Sequence, residues 1–453
     1  MISLFSGASG VGTFPRGVHP PEAKEYSRAA SIAVLSTPDQ VQIALLQHTG
    51  APAVPTVQPR TDVVMGDMLA DGKGFISAAV HASISGKTAA LGVTTLPNGR
   101  HVQTIPIKAA TEQPYTDAAL LAEILGGDWE CDSAAFEPQA IRDACKAAGI
   151  VGQGGAAFPA HVKFSPPEGK PIDTVLVNGC ECEPYLTADE RLMIEAPAPI
   201  LVGARLIARA VGASRVIVGI EDNKPEALER MRAAAADTDV EVMALRTKYP
   251  MGGEKQLIRA MVQRTVPTGG LPLAVGVVVT NVGTSAAVAR AVLRGKPLTH
   301  RVITVTGAGI REPKNVLAPI GVSFAALIDF CGGFTEDAAR VIAGGPMMGF
   351  ALGSLEVPVT KGTSGITILT QTEVERAAET ACIRCGRCVD VCPLGLVPTR
   401  IALAARHRNW EQAERHHIMA CMECGCCAYT CPASIPLVQL IRSGKVQLIK
   451  RKS

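Results

Sequence analysis

One pattern near the C-terminal end restricts this chain more than any other. Cys382-x-x-Cys385-x-x-Cys388-x-x-x-Cys392-Pro393 is followed by Cys421-x-x-Cys424-x-x-Cys427-x-x-x-Cys431-Pro432. Cysteines three residues apart can wrap three corners of a four-iron cube, and the fourth corner must come from elsewhere, so two such runs interlock. The spacing therefore assigns Cys382, Cys385, Cys388 and Cys431 to one 4Fe–4S cluster, and Cys421, Cys424, Cys427 and Cys392 to the other. Structural zinc sites use two cysteine pairs rather than four ligands followed by proline. The segment between Cys392 and Cys421 has helical periodicity, so a helical two-cluster ferredoxin is expected over residues 372–453, with helices over 400–408 and 411–419.

Nine of the fourteen cysteines fall between Cys382 and Cys431. Cys426 disturbs no ligand spacing and reads as a packed free thiol; Cys131, Cys145 and Cys331 read as small core residues. Cys180-x-Cys182 alone is a weak metal signal. Clustered cysteines of this kind belong to a reducing compartment. In agreement, the first basic residue, Arg16, follows a Gly/Ser-rich opening, so no signal peptide is expected. The most apolar run, 196–213, is interrupted by Arg205 and Arg209, so no membrane span is expected either. A chain of 453 residues that is 47% apolar has ample material for several cores. Its net charge of +3 and 4% aromatic content argue against a nucleic-acid partner.

The texture upstream divides into three further units. Residues 1–114 are rich in Gly, Pro, Val and Thr and read as small antiparallel β structure resembling a barrel-sandwich (biotinyl/lipoyl-like) domain. Asp71–Val80 is too short for the hairpin that would carry a modified lysine, so a docking role is expected there. Residues 115–299 alternate helices (115–125, 140–148, 200–211, 256–262) with strands (174–177, 215–220, 273–280), which predicts a Rossmann-like α/β domain on a parallel sheet. Residues 300–371 read as a short α+β unit with strands at 302–306, 341–342 and 365–369.

Within the α/β unit, Gly152-Gln-Gly154-Gly155-Ala-Ala-Phe158-Pro159, with Lys163 behind it, follows a helix rather than a strand, unlike an ordinary dinucleotide fingerprint. Dense glycines let a backbone approach a flat or phosphorylated ligand, and loop N–H groups with a lysine can neutralise phosphate; a simple tight turn is the alternative. The strand at 174–177 delivers Asn178-Gly-Cys-Glu181-Cys-Glu183-Pro184-Tyr185 to its C-terminal end, where open α/β sheets place ligands. Tyr249-Pro-Met-Gly252-Gly253-Glu254 and Asn281-Val-Gly-Thr284 add two more polar loops.

These motifs resemble the FMN and NADH site of the flavoprotein component of respiratory complex I. His19-Pro-Pro-Glu22, Gln47-His48-x-Gly50-Ala-Pro52 and His81-Ala-x-x-Ser85-Gly86 narrow the likeness to the RnfC family, components of the Rnf ion-translocating NADH:ferredoxin oxidoreductases. The resemblance spans nearly the whole chain. It implies that Gly152, Gly154, Gly155 and Lys163 cradle the FMN phosphate and ring, and that Asn178, Glu181, Asn281 and Thr284 contact the flavin. Phe158 would lie against the nicotinamide or adenine, Glu183 would accept from the carboxamide, and Tyr185 and Glu254 would line the site. Gly283, Cys180 and Lys255 stand where the complex I pattern has acidic residues.

The resemblance further implies that 300–371 is a β-grasp unit of structural role. It also implies that NADH reduces FMN, which passes electrons singly through two clusters, or the reverse. Integral-membrane and iron–sulfur subunits, with ferredoxin reached indirectly, would be the partners, at the cytoplasmic face of a membrane. A flavin/iron–sulfur cobalamin reductase and an iron–sulfur subunit without flavin are the alternatives. The basic C-terminal segment around Arg442, Lys445 and Lys450 reads as a solvated helix or a contact with lipid or a membrane partner.

Overall fold

The computed structural model describes residues 12–375 and 377–452. In the first unit, Gln40–Ala44, His101–Ala109, Gly86–Thr88 and Asp62–Val63 form an antiparallel sheet with Gly92–Thr95 on its edge. A second sheet of Val54–Pro55, Met68–Asp71 and Val80–His81 faces it. Alternation along Gln40–Ala44 and His101–Ala109 turns Val41, Ile43, Ile105 and Ile107 inward. The short connection between Asp71 and Val80 joins two antiparallel strands and holds Lys73 between Gly72 and Gly74, and Ser77 there is held by His48 and Ala51 O.

The α/β unit has a four-stranded parallel sheet in the order Val240–Leu245, Arg215–Glu221, Thr174–Asn178, Val277–Asn281. The expected strand over 273–280 starts late, because Pro272–Val275 is a 3₁₀ turn and Gly276, at φ +73°, redirects the chain into the sheet. Val240–Leu245 is an additional strand at the sheet edge, where only its two end residues, Val240 and Leu245, are buried and no alternation marks it in the sequence. Helix Pro197–Val211 starts on a proline in its first turn and ends at Gly212 in the left-handed region. It packs against Val282–Arg294 so closely that a side chain at Gly203 would overlap Ser285 O.

The third unit is a mixed six-stranded sheet in the order Ile32–Val34, Lys314–Pro319, His300–Thr306, Gly365–Thr370, Ala338–Ala343, Phe350–Ala351, with helix Phe324–Phe330 against it. One edge strand, Ile32–Val34, thus comes from far upstream and pairs in parallel with Lys314–Pro319. Ile43, Leu69, Val80 and Ile107 of the barrel share one core cluster with Ile303, Val316, Phe324 and Ile366 of this sheet. Cys331 is buried there, and Cys145 in the α/β core. Lys361, 1% exposed, ties three units together: its Nζ donates to Ala79 O (2.6 Å) and Gly149 O (2.7 Å).

The C-terminal unit is helical (Pro398–Arg406, Trp410–Arg415, Leu437–Lys452) and echoes its sequence repeat in its backbone. Arg384 and Glu423 take φ +57° and +62°, Gly386 and Gly425 +80° and +85°, and a one-turn helix, Arg387–Asp390 or Cys426–Tyr429, follows each. These positions curl the backbone tightly around each run of cysteines.

Candidate functional site

The chain runs from Thr174–Asn178 to Arg215–Glu221 to Val240–Leu245 in one direction and then returns to place Val277–Asn281 on the other flank of Thr174–Asn178. The strand order therefore reverses between the strands ending in Asn178 and Asn281, which are register partners. Ligands of open α/β sheets bind in the crevice at such a switch point, beyond the carboxyl ends of the strands.

The glycine loop closes over this crevice. A bridge between Val151 and Pro159, with Gly152 N donating to Phe158 O (2.9 Å), makes the loop a tight lariat. Gln153 N donates to Thr284 Oγ1 (2.8 Å) and Gln153 Nε2 to Gly283 O (3.0 Å), so the loop is stapled to the first turn of Val282–Arg294. Gly283 leaves room for Gln153: a Cβ there would stand 3.3 Å from Gln153 Oε1. A Cβ at Gly154 would lie 3.4 Å from that of Asn281, whereas one at Gly155, at φ +111°, would project into open space. Gly154 and Gly155 are exposed, and Phe158 is half-buried at the loop's base.

Asn281 caps Val282–Arg294, its Oδ1 accepting from Gly283 N (2.8 Å) and Thr284 N (3.3 Å). Its Nδ2 donates to Asp189 Oδ2 (2.7 Å). Burial and the neighbouring Glu181 carboxylate raise the Asp189 carboxyl well above its ordinary range. Beneath the loop, Arg301 is enclosed and donates to Gln153 O (3.3 Å) and Lys361 O (2.5 Å); burial lowers it to about 10, against the pull of Asp189. On the far wall Lys163 Nζ meets Glu254 Oε1 (3.0 Å) and Val279 O (2.9 Å), and Asn178 Nδ2 donates to Gly252 O (2.9 Å).

The structure thus brings Gly152, Gly154, Gly155, Lys163, Asn178, Glu254, Asn281 and Thr284 to one crevice, with Phe158 at its edge. Three residues expected there are engaged elsewhere. Glu181 caps Ala188–Glu195, accepting from Asp189 N (2.8 Å) and Glu190 N (3.1 Å). Glu183 accepts from Met347 N (3.1 Å) and Met348 N (2.8 Å) of the third unit, and burial pushes its carboxyl up to about 7. Tyr185 stacks on Tyr26 and donates to Glu373 Oε1 (2.6 Å). Their loop is pinned by buried Lys24, which donates to Glu181 O, Glu183 O and Leu186 O. Gln153, Asp189 and Arg301 escape sequence reading. The one available signal is Arg301 itself, a cation near the start of a strand, His300–Thr306, that is buried along its whole length.

In the C-terminal unit Cys392, Cys421, Cys424 and Cys427 line one apolar cavity together with Leu396, Ile401 and Val438. Cys431 and Cys385 lie close enough to Cys388 for their charges to bear on its thiol, and Thr399 hydrogen-bonds the same sulfur. Cys392 of the first run thus joins Cys421, Cys424 and Cys427 of the second around one space, and Cys431 of the second run lies near Cys388 and Cys385 of the first. Among the described residues no three His, Cys, Asp or Glu converge tightly enough for a single ion; the thiols stand around a volume. A soft all-thiolate donor set around an apolar space fits an iron–sulfur cube.

Family models match every unit: an RnfC barrel sandwich hybrid domain over 12–112, a Nuo51 FMN-binding domain over 145–290, an SLBB domain over 302–351 and a 4Fe–4S dicluster domain over 379–435. The RnfC-type component of the proton-translocating ferredoxin:NAD(+) oxidoreductase complex of Clostridium ljungdahlii is 44% identical, covering 95% of this chain and 93% of its own. The chain belongs to the RnfC family of ion-translocating oxidoreductase complexes. The corresponding component of the Na(+)-translocating ferredoxin:NAD(+) oxidoreductase complex of Acetobacterium woodii is 42% identical over 97% of this chain and 98% of its own. That of the Rhodobacter capsulatus ion-translocating oxidoreductase complex is 40% identical over 96% and 83%. Like its family, this RnfC chain is an oxidoreductase component that joins an FMN-binding domain to a two-cluster ferredoxin. Among the described residues no helix is long and apolar enough to cross a membrane.

The two sites of this RnfC chain are neighbours. Tyr249 OH donates to Cys424 O (2.7 Å), Gln256 Nε2 to Pro393 O (3.4 Å), and Gly253 abuts Met422. The loop 249–256 thus forms one wall of the crevice and touches the Cys421–Cys427 run. Cys182, whose sulfur accepts from Gly252 N (3.3 Å), packs in the same seam with Cys424 and Cys426. Cys385 of the other set is exposed.

Proposed function

We propose that the crevice between Asn178 and Asn281 takes FMN, that NADH meets it there, and that electrons pass first to the Cys421/Cys424/Cys427/Cys392 site and then to the Cys382/Cys385/Cys388/Cys431 site. The observation that carries this order is the contact of Tyr249 with Cys424, which makes one cluster site a wall-neighbour of the crevice while Cys385 faces solvent. Bound FMN accepts a two-electron hydride and releases single electrons. The chain's own residues do the rest. Lys163 and the amides of Gly154 and Gly155 supply positive charge for the phosphate, those of Gly152 and Gln153 being turned to Phe158 O and Thr284 Oγ1. Asn178 and Asn281 present fixed amides at the strand ends, and the Gln153–Thr284 staple keeps the loop from collapsing. Phe158 offers an apolar surface to the incoming nicotinamide.

The relatives' names, which specify ferredoxin, NAD(+) and ion translocation, support NAD(H) as two-electron partner and ferredoxin as the one-electron partner reached through other subunits. Integral-membrane and iron–sulfur subunits at the cytoplasmic face of a membrane complete the same reading. The exposed rim of the outer site supports an electron-transfer contact: Ile383 is 68% exposed beside Arg384 and Arg387. Anaerobic addition of NADH to the reconstituted chain tests the reading. The flavin band should bleach first and the iron–sulfur absorbance after it. A chain that takes up iron and sulfide but retains no flavin after desalting would be an electron-transfer-only subunit instead.

A further inference from the structure

The turn Gly344-Gly-Pro-Met-Met-Gly349 of the third unit reaches out of its sheet and lies between the α/β unit and the ferredoxin unit. Its two faces are used differently. The N–H groups of Met347 and Met348 both point to Glu183, at 3.1 and 2.8 Å. The carbonyls point the other way: Arg442 of helix Leu437–Lys452 donates to Met348 O (2.7 Å) and Gly349 O (3.5 Å). Arg442 also pairs with Glu423 (3.0 Å) and lies over the Phe350 ring (4.7 Å). Two glycines make the approach possible. A Cβ at Gly345 would collide with Glu183, and one at Gly425, between Cys424 and Cys426, would stand 2.7 Å from Met347 O. Glu183 is tied back to the crevice wall through Tyr249, whose OH reaches both Glu183 Oε1 (3.4 Å) and Cys424 O (2.7 Å).

We infer that this turn is a positioning brace that fixes the distance between the flavin crevice and the inner cluster, with Glu183 and Arg442 as positioning residues; this rests on the electron path proposed above. A sheet whose expected role was only structural thereby becomes part of the redox geometry. The turn itself exchanges no electron. It is anchored by Gly344 N to Gly365 O (2.7 Å) and Thr367 Oγ1 to Gly344 O (2.8 Å), so a rigid sheet stands behind the brace.

Two variants release its two ends. Gly345→Ala forces the turn off Glu183, and Arg442→Ala removes the grip on the carbonyls. In the full reconstituted chain both should keep wild-type flavin content, wild-type KM for NADH and wild-type NADH:ferricyanide turnover, which reads the flavin alone. Both should slow reduction of the clusters by NADH about tenfold or more, since small misplacements of reacting groups carry penalties of that size, while dithionite still reduces both clusters. Arg442→Lys should recover part of the rate. Hydrogen exchange at the Met347 and Met348 amides should accelerate in both variants with or without cofactors loaded. Wild-type cluster reduction in both variants, or flavin turnover falling in step with it, overturns the brace. If wild-type chain shows no flavin bleaching by NADH, the electron path fails instead, and the exchange result still decides whether the turn is held as described.

Discussion

Lys163 and Glu254 make an ion pair at the mouth of the crevice, and the phosphate reading predicts opposite effects from removing its two members. Lys163 Nζ is 3.0 Å from Glu254 Oε1, with side chains 34% and 38% exposed. A half-exposed pair of this kind is worth roughly 0.2–1 kcal/mol after screening. A hydrogen bond to a charged group contributes about 1.5–3 kcal/mol. A phosphate that recruits Lys163 must therefore give up the smaller term to gain the larger. Lys163→Ala should weaken FMN binding by about 2- to 100-fold, the net of the two terms, and Glu254→Gln should tighten it by up to about fivefold. Quenching of flavin fluorescence on titration with the apo chain measures both, with riboflavin as the control ligand. Riboflavin carries no phosphate, so neither variant should alter its affinity. Equal FMN affinity in wild type and Lys163→Ala, or weaker binding in Glu254→Gln, would refute the assignment.

Three other outcomes follow from the same geometry. Cys392→Ser should remove the inner cluster, leaving an outer cluster that dithionite reduces and NADH does not, whereas Cys385→Ser should leave an inner cluster still reduced by NADH; electron paramagnetic resonance distinguishes them, and the reverse pattern inverts the proposed order. Burial lowers His300 from 6.5 to about 3, so the stability its neutral ring contributes is complete above pH 6.5 and is lost as pH falls. His300→Leu should gain on wild type by about 2 kcal/mol between pH 7 and 5, read as the difference between denaturant midpoints; parallel curves would contradict it. Burial also lowers Lys361 from 10.5 to about 7, so the folded state prefers the neutral amine and the wild type should gain roughly 2–3 kcal/mol from pH 7 to 9. Lys361→Met should not show that rise, although it leaves Ala79 O and Gly149 O without their donor.

The cluster sites are legible in the sequence because their information is local: cysteine spacing along one backbone fixes which sulfurs can take neighbouring corners of one cube. The glycine loop, Asn178, Lys163 and Asn281 are also legible, since each sits at a strand end or turn that the sequence marks. The partners of the acidic loop are hidden for the opposite reason. Glu181, Glu183 and Tyr185 face Asp189, Met347, Met348 and Glu373, and nothing near residue 183 announces a turn more than 160 residues away. Two carboxylates at a strand terminus look alike whether they serve a ligand or a neighbouring unit. The strand Ile32–Val34 is invisible in the same way, because three apolar residues have no period and their pairing partner, Lys314–Pro319, lies in another unit. The basic C-terminal helix has the composition of a solvated one, yet Arg442 and Lys445 are both engaged by Glu423.

The core shared by the barrel and the six-stranded sheet has a practical corollary for anyone dissecting the chain. Cutting after residue 114 would remove Ile32–Val34 from the sheet edge and strip cover from Ile303, Val316 and Phe324, exposing a broad apolar face and an unpaired strand of the kind that drives aggregation. The N-terminal barrel is thus a buttress and not a detachable module: a fragment that keeps both redox sites but lacks it should be insoluble, and studies of electron transfer require the chain whole.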